Sequence, residues 1–225
     1  MASPRRVLWD APLRLFHWTL AVLVVFSFVT GTVGVDWMPW HLRSGYAILA
    51  LLVFRLAWGF AGGTTARFAH FIRGPRAVLD YARALARGER PLTFGHNPLG
   101  AWMVVAMLLA LLVQATTGLF ADDEIRTQGP LAVKVSEAMV GRMSSVHSWN
   151  RWVVAALAAL HVIAIALYQW RWKIDVFWPM VSGRRAAQGA HEPEAVRQGS
   201  NLLALGLIAA CAFAVYCLVV IYPRP

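Results

Sequence analysis

Charge is scarce in this 225-residue chain: Asp, Glu, Lys and Arg make up 14% of it, and acids are outnumbered 11 to 21 by Lys and Arg. Against 59% hydrophobic residues, so little charge excludes an ordinary soluble domain. Cysteine is nearly absent. The two present, Cys211 and Cys217, stand six apart in one apolar run. On a helix they point in different directions, so they form neither a disulfide framework nor a metal pair and read as small apolar filler. Internal repeats and low-complexity tracts are missing too, which excludes solenoid and linker-type architectures. The formal net charge of +10 could suggest a nucleic-acid partner. The arginines, however, sit in connections flanking apolar runs, and membrane topology explains them without nucleic acid.

Long apolar runs are what the chain has in quantity. Five are long enough to span a bilayer, at about 14–34, 41–60, 98–120, 146–170 and 200–222. Eleven Trp and eleven Phe add the aromatic weight of membrane-interface belts. The first run follows a basic segment as a signal peptide would, but Leu13 to Gly34 is too long for that and lacks an A-x-A-like cleavage site. A retained first span is expected. The connections alternate in charge. Residues 61–97 hold Arg67, Arg73, Arg76, Arg83, Arg87 and Arg90 against Asp80 and Glu89, and 171–199 are again basic. The connection after span one has Asp36 and little base, and residues 121–145 carry Asp122, Asp123, Glu124 and Glu137. The positive-inside rule then puts the N-terminus in the cytoplasm and the C-terminus on the external side. Helical spacing predicts a surface helix over Pro75–Gly88 and a second over Pro130–Met143. The expected fold class is an all-α integral membrane protein: a four-helix bundle over 1–182, a flexible linker over 183–199 and a fifth transmembrane helix over 200–225.

The histidines carry the chemistry. His147 and His161 share the fourth run, fourteen residues apart. That is ~1400° of helix, close to whole turns, so both rings face one way about 21 Å apart along the axis. With the predicted topology, His41 at the start of span two shares the external level with His147. His17, about a turn inside span one, shares the inner level with His161. Two depth-matched pairs, each with one member on span four, suit bis-imidazole ligation of two haems wedged between helices. A lone histidine at a helix end is commonly just interfacial, but a ring as deep as His161 usually has a partner. No C-x-x-C-H occurs, so any haem would be non-covalent, of b type.

Glycines recur at the same depths: Gly31 fourteen after His17, Gly45 and Gly59 four and eighteen after His41, and Gly100 and Gly118 on span three. They offer either bare surfaces for flat macrocycles or ordinary helix–helix contacts. Arg55, fourteen after His41, either pairs with a haem propionate or snorkels to the cytoplasm. His96 in GHNPLG is expected to shape a turn, and His70 and His191 lie in cytoplasmic loops.

WDAPLRLFHWTL, HLRSGYAILALLVFRLAWGFAG, ARFAHFIRGP, GHNPLGA and the H-x13-H helix together resemble the bacterial cytochrome b561 family, most closely the b-type cytochrome subunits of nickel–iron hydrogenases. The resemblance covers about residues 7–180. It implies a four-helix bundle with two b haems whose ligands, carried over, are His17, His41, His147 and His161. It also implies electron transfer between a quinone and a periplasmic partner, a hydrogenase or a c-type cytochrome. The fifth span departs from the four-helix pattern. Clustered histidines of the H-x-x-x-H or H-x-x-H-H kind, which a membrane di-iron oxidase needs, are absent. The remaining alternative is a transporter or structural subunit with proton-relay or packing histidines. The acidic ADDE segment either docks an external, basic redox partner or is simply tolerated outside.

Overall fold

The computed structural model describes residues 5–89, 91, 93–186 and 196–223; Arg90 and His191 lie outside them. Five long helices dominate: α1 (Ala11–Val33), α2 (Met38–Ala61), α5 (Pro98–Gly118), α6 (Glu137–Trp170) and α8 (Asn201–Tyr216), the last continued by a π-helical turn at Cys217–Ile221. All five are long and apolar enough to cross a membrane. Short helices join them: α3 (Phe68–Phe71), α4 (Pro75–Ala86) and α7 (Phe177–Ser182). Val22 at 67% exposed and Leu202 at 81% show what the long helices turn outward. Such surfaces suit lipid rather than water. The protein is an all-α, multi-pass membrane protein.

Helix starts follow local chemistry. Asp10 Oδ1 accepts the Leu13 N–H at 2.9 Å, and Asn97 Oδ1 accepts that of Gly100 at 2.8 Å, with Pro98 as first residue of α5. Side-chain oxygens there satisfy donors that the first turn leaves open. The amphipathic helix expected over 75–88 is α4, opened by Pro75. The one expected over 130–143 does not form. Ala132–Lys134 make a single 3-10 turn, and α6 has already begun at Glu137. Nothing between 137 and 146 breaks the helical pattern, so the span absorbs the expected surface helix. At ~1.5 Å per residue its 34 residues run for about 51 Å, well past a ~30 Å hydrocarbon layer.

The chain divides into two compact units. The first comprises Met1–Leu15, Leu56–Ala106 and Leu157–Ala204. Its centre is Asp10, 3% exposed, which accepts the Trp58 indole N–H at 3.3 Å and the Gly63 N–H at 3.2 Å. Gly199 lies against the Trp58 ring, where a Cβ would collide. A two-stranded antiparallel sheet pairs β1 (Arg5–Val7) with β2 (Arg184–Ala186). Thr64 N–H donates to the Arg197 carbonyl at 2.9 Å. The described ends of the 183–199 stretch, expected to be flexible, are therefore tied down. The sheet was not foreseen because three-residue strands leave no alternation to read.

The second unit comprises Phe16–Arg55, Met107–Ala156 and Leu205–Pro225. There Leu49, Ala50, Leu119, Leu131 and Val215 form one apolar cluster, joined by Leu218 and Val219. The end of the fifth span thus packs against α2 and the end of α5. Along α8 the buried residues are Ala204, Cys211 and Val215, while Leu202 and Leu205 point outward. Cys211 is the buried apolar filler its composition suggested.

Candidate metal centre

Within the second unit, α2 and α6 bring His41 and His147 together. Their ring centroids are 6.0 Å apart and their planes are nearly perpendicular at 85°. Two metal–nitrogen bonds of about 2.0–2.1 Å, plus the reach from each nitrogen to its ring centre, need roughly this separation. Each ring is held from behind. The Ser27 carbonyl lies 2.8 Å from His41 Nδ1, and the Gln114 carbonyl lies 2.9 Å from His147 Nδ1. A carbonyl can only accept, so each Nδ1 carries the proton and donates it. Each Nε2 is then left with the lone pair that a metal takes.

A second layer fixes the first. Asn150 Nδ2 donates to Gln114 Oε1 at 2.8 Å and to the Ala110 carbonyl at 2.9 Å. With its oxygen so occupied, Gln114 turns its amide N–H groups toward His147, donating to the His147 carbonyl at 3.1 Å and lying 3.2 Å from His147 Nε2. A ligated metal would displace that last contact. Polar residues in apolar runs were the available signal for Gln114 and Asn150, and the sequence reading passed over both.

Beside the two rings opens a cavity of about 310 Å³, lined by Gly45, Tyr46, Leu111, Ala115, Gly118 and Arg151 among others. That volume is within the range of natural small-molecule sites. The glycines divide into different roles. A Cβ at Gly31 would sit 2.8 Å from His41 Nδ1, and one at Gly118 would sit 2.9 Å from His147 Cε1. Those two glycines admit the imidazoles to the helix backbone, rather than offering bare surface to a macrocycle. Gly45 has nothing within 4 Å and does face open space. Gly59 is covered by the Phe68 ring and Gly100 abuts Asn97 at 3.4 Å, so neither offers a free surface.

His17 is in the second unit, edge-on to Trp18 at 5.0 Å, and His161 is on the part of α6 in the first unit. Helix α6 is continuous through His147 and His161, as the H-x13-H spacing requires. Arg55 is 2% exposed. It does not run out to the surface, so the snorkelling reading is set aside. His96 is stacked between Trp9 and Phe71, with 4.6 Å to each ring centroid. No cluster of three or more His, Cys, Asp or Glu that could hold a bare metal ion occurs among the described residues. The donor set at His41 and His147, two neutral imidazoles beside an apolar slot, fits a haem iron.

Residues 8–183 match the family described as prokaryotic cytochrome b561. A probable Ni/Fe-hydrogenase B-type cytochrome subunit of Azotobacter chroococcum is 26% identical over 191 residues, covering 70% of this chain and 79% of that protein. Proteins of the same description from Cupriavidus necator and Bradyrhizobium diazoefficiens are 23% and 22% identical, over 79% and 82% of this chain and 85% and 87% of their own. No solved structure matches.

Proposed function

We propose that this chain, which belongs to the prokaryotic cytochrome b561 family, carries electrons across the bacterial inner membrane between the quinone pool and a periplasmic partner, a hydrogenase or a c-type cytochrome. A membrane haem b electron-transfer role follows from the family. The two-haem count, the ligands, the quinone and the partner are our reading. The observation that carries it is the His41–His147 pair, 6.0 Å apart with both Nδ1 atoms on backbone carbonyls.

Haem, when bound, supplies the one-electron chemistry. The protein's contribution is orientation and exclusion. Ser27 and Gln114 hold the two tautomers, Asn150 locks Gln114, and Gly31 and Gly118 let the rings lie close to α1 and α5. Apolar walls such as Leu111 and Ala115 would limit water around a haem held there. A second haem on His17 and His161 is inferred from their spacing and depth in the sequence, with Arg55 as a candidate propionate contact. The basic connections support a cytoplasmic N-terminus and a periplasmic C-terminus, and on that reading His41 and His147 are the outer pair. Residues 1–182 would then be the haem-binding part, 183–199 a connection and 200–225 an added span.

Reduced-minus-oxidised spectra and a pyridine haemochrome assay on the purified chain test this. Two haems per chain are expected. His41→Ala and His147→Ala should remove one spectral component, and His17→Ala and His161→Ala the other. If His17→Ala and His147→Ala removed the same component, the pairing would be wrong.

A further inference from the structure

Three charged residues line the cavity beside His41 and His147 among the described residues: Asp122, Asp123 and Arg151. Both carboxylates are engaged in folding their own loop. Asp122 accepts the Glu124 N–H at 2.8 Å and the Gln128 amide at 2.7 Å. Asp123 Oδ1 accepts the N–H groups of Ile125, Arg126 and Thr127, at 2.9, 2.8 and 2.8 Å. Asp123 Oδ2 is sealed from solvent without a hydrogen-bond partner, as is one nitrogen of Arg151, but of the three only Arg151 is a cation. It follows His147 by four residues, so it lies on the same helix face one turn along. Its guanidinium stacks on the Trp152 ring at 5.2 Å, and its Nε is sealed from solvent without a hydrogen-bond acceptor.

An arginine stacked on an aromatic face still offers its N–H edge, and that edge matches a carboxylate. A half-buried cation within a membrane, with one sealed N–H that no acceptor meets, marks a functional partner. We propose that Arg151 binds a carboxylate of the haem held by His41 and His147, strengthening haem binding and stabilising its ferrous form. The proposal rests on those two histidines being haem ligands. The cation acts through charge: it offsets a carboxylate near the iron, so removing it favours the ferric, more positive state.

The test uses the full chain with both haems. Spectrally resolved redox titrations of Arg151→Gln and Arg151→Lys are compared with the unmodified protein, the relevant haem being the one lost in His41→Ala. Arg151→Gln should shift its ferric/ferrous equilibrium about tenfold toward ferric, about 59 mV for a one-electron couple, and Arg151→Lys should restore most of this. Haem-depleted protein should bind haem b more tightly than haem dimethyl ester, whose carboxylates are blocked, and Arg151→Gln should erase that preference. If Arg151 serves only to pack on Trp152, Arg151→Gln lowers thermal stability but leaves the potential and the ester preference unchanged, and the proposal falls. Should Arg151→Gln fail to fold, equal binding of ester and free haem by the unmodified protein overturns it alone. Retention of both haems in His41→Ala and His147→Ala would overturn the ligand reading and this proposal together.

Discussion

Adding one methyl group at Gly31 or Gly118 should loosen the haem proposed for His41 and His147 without touching either proposed ligand. At Gly31 the new Cβ would lie 2.8 Å from His41 Nδ1, whereas ordinary contact begins near 3.4 Å, so the ring must retreat by about 0.6 Å. Nδ1 sits 2.8 Å from the Ser27 carbonyl, already an optimal hydrogen bond. A displacement of that size strains the bond that fixes the tautomer. Overpacking costs about 1–3 kcal/mol, and at about 1.4 kcal/mol per tenfold that is roughly 5- to 150-fold in affinity. Disturbing a partner behind a metal-bound histidine costs 10- to 100-fold, the same range by an independent route. At Gly118, 2.9 Å from His147 Cε1, the effect should be similar. Gly141 is the control, since it lies on the same helix as His147 with nothing within 4 Å. Gly141→Ala should be neutral or slightly stabilising through helix propensity. The assay is haem affinity by back-titration of depleted protein, with the spectrum identifying which haem is lost. Affinities of Gly31→Ala and Gly118→Ala within twofold of the Gly141→Ala control would refute the reasoning.

Two further outcomes follow from the same unit. Gly45 lines the cavity with nothing within 4 Å, so Gly45→Leu should leave the fold intact and block the slot; normal thermal stability with loss of only the His41/His147 haem is expected, and unchanged haem content would count against the slot. Burial pushes the Asp123 carboxyl up, but hydrogen bonds from Thr127, Arg126 and Ile125 outweigh this and hold it below its ordinary value. Because the folded value is the lower one, this contribution is present above the ordinary carboxylate range near 3.9 and is lost as pH falls through the folded value. Protection of the amides in residues 122–129, relative to their intrinsic exchange at each pH, should therefore fall in acid, and Asp123→Asn should flatten that dependence; identical protection profiles would refute it.

The spans were legible because a bilayer demands length and apolarity, both of which are one-dimensional properties of sequence. Caps at Asp10 and Asn97 and the amphipathic α4 were equally open to reading. The start of α6 was not. Residues 137–145 are compatible with a separate surface helix or with an extension of the span, and only their continuity with 146–170 decides between these. The β1–β2 pairing joins residues nearly 180 positions apart, and such pairing has no local signal.

At the site, matched depth predicted that His41 and His147 meet but not what holds them. The carbonyls behind His41 and His147 belong to Ser27 and Gln114, and a backbone acceptor carries no sequence signature at all. Of the two readings offered for the glycines, Gly31 and Gly118 follow the close helix–helix contact, each making room for an imidazole of a neighbouring helix. The acidic segment shows the same ambiguity. As composition, Asp122, Asp123 and Glu124 suggested a docking patch for a basic partner. As structure, the two aspartates accept main-chain and amide N–H groups within their own loop, and Glu124 adopts a left-handed backbone with φ of 58°. Short acidic side chains in a turn fold the chain before they attract anything. A triple neutralisation would therefore confound docking with loss of the loop, and any steering effect has to be sought at Glu124 alone, where long-range charge can act without the hydrogen bonds that hold the loop in place.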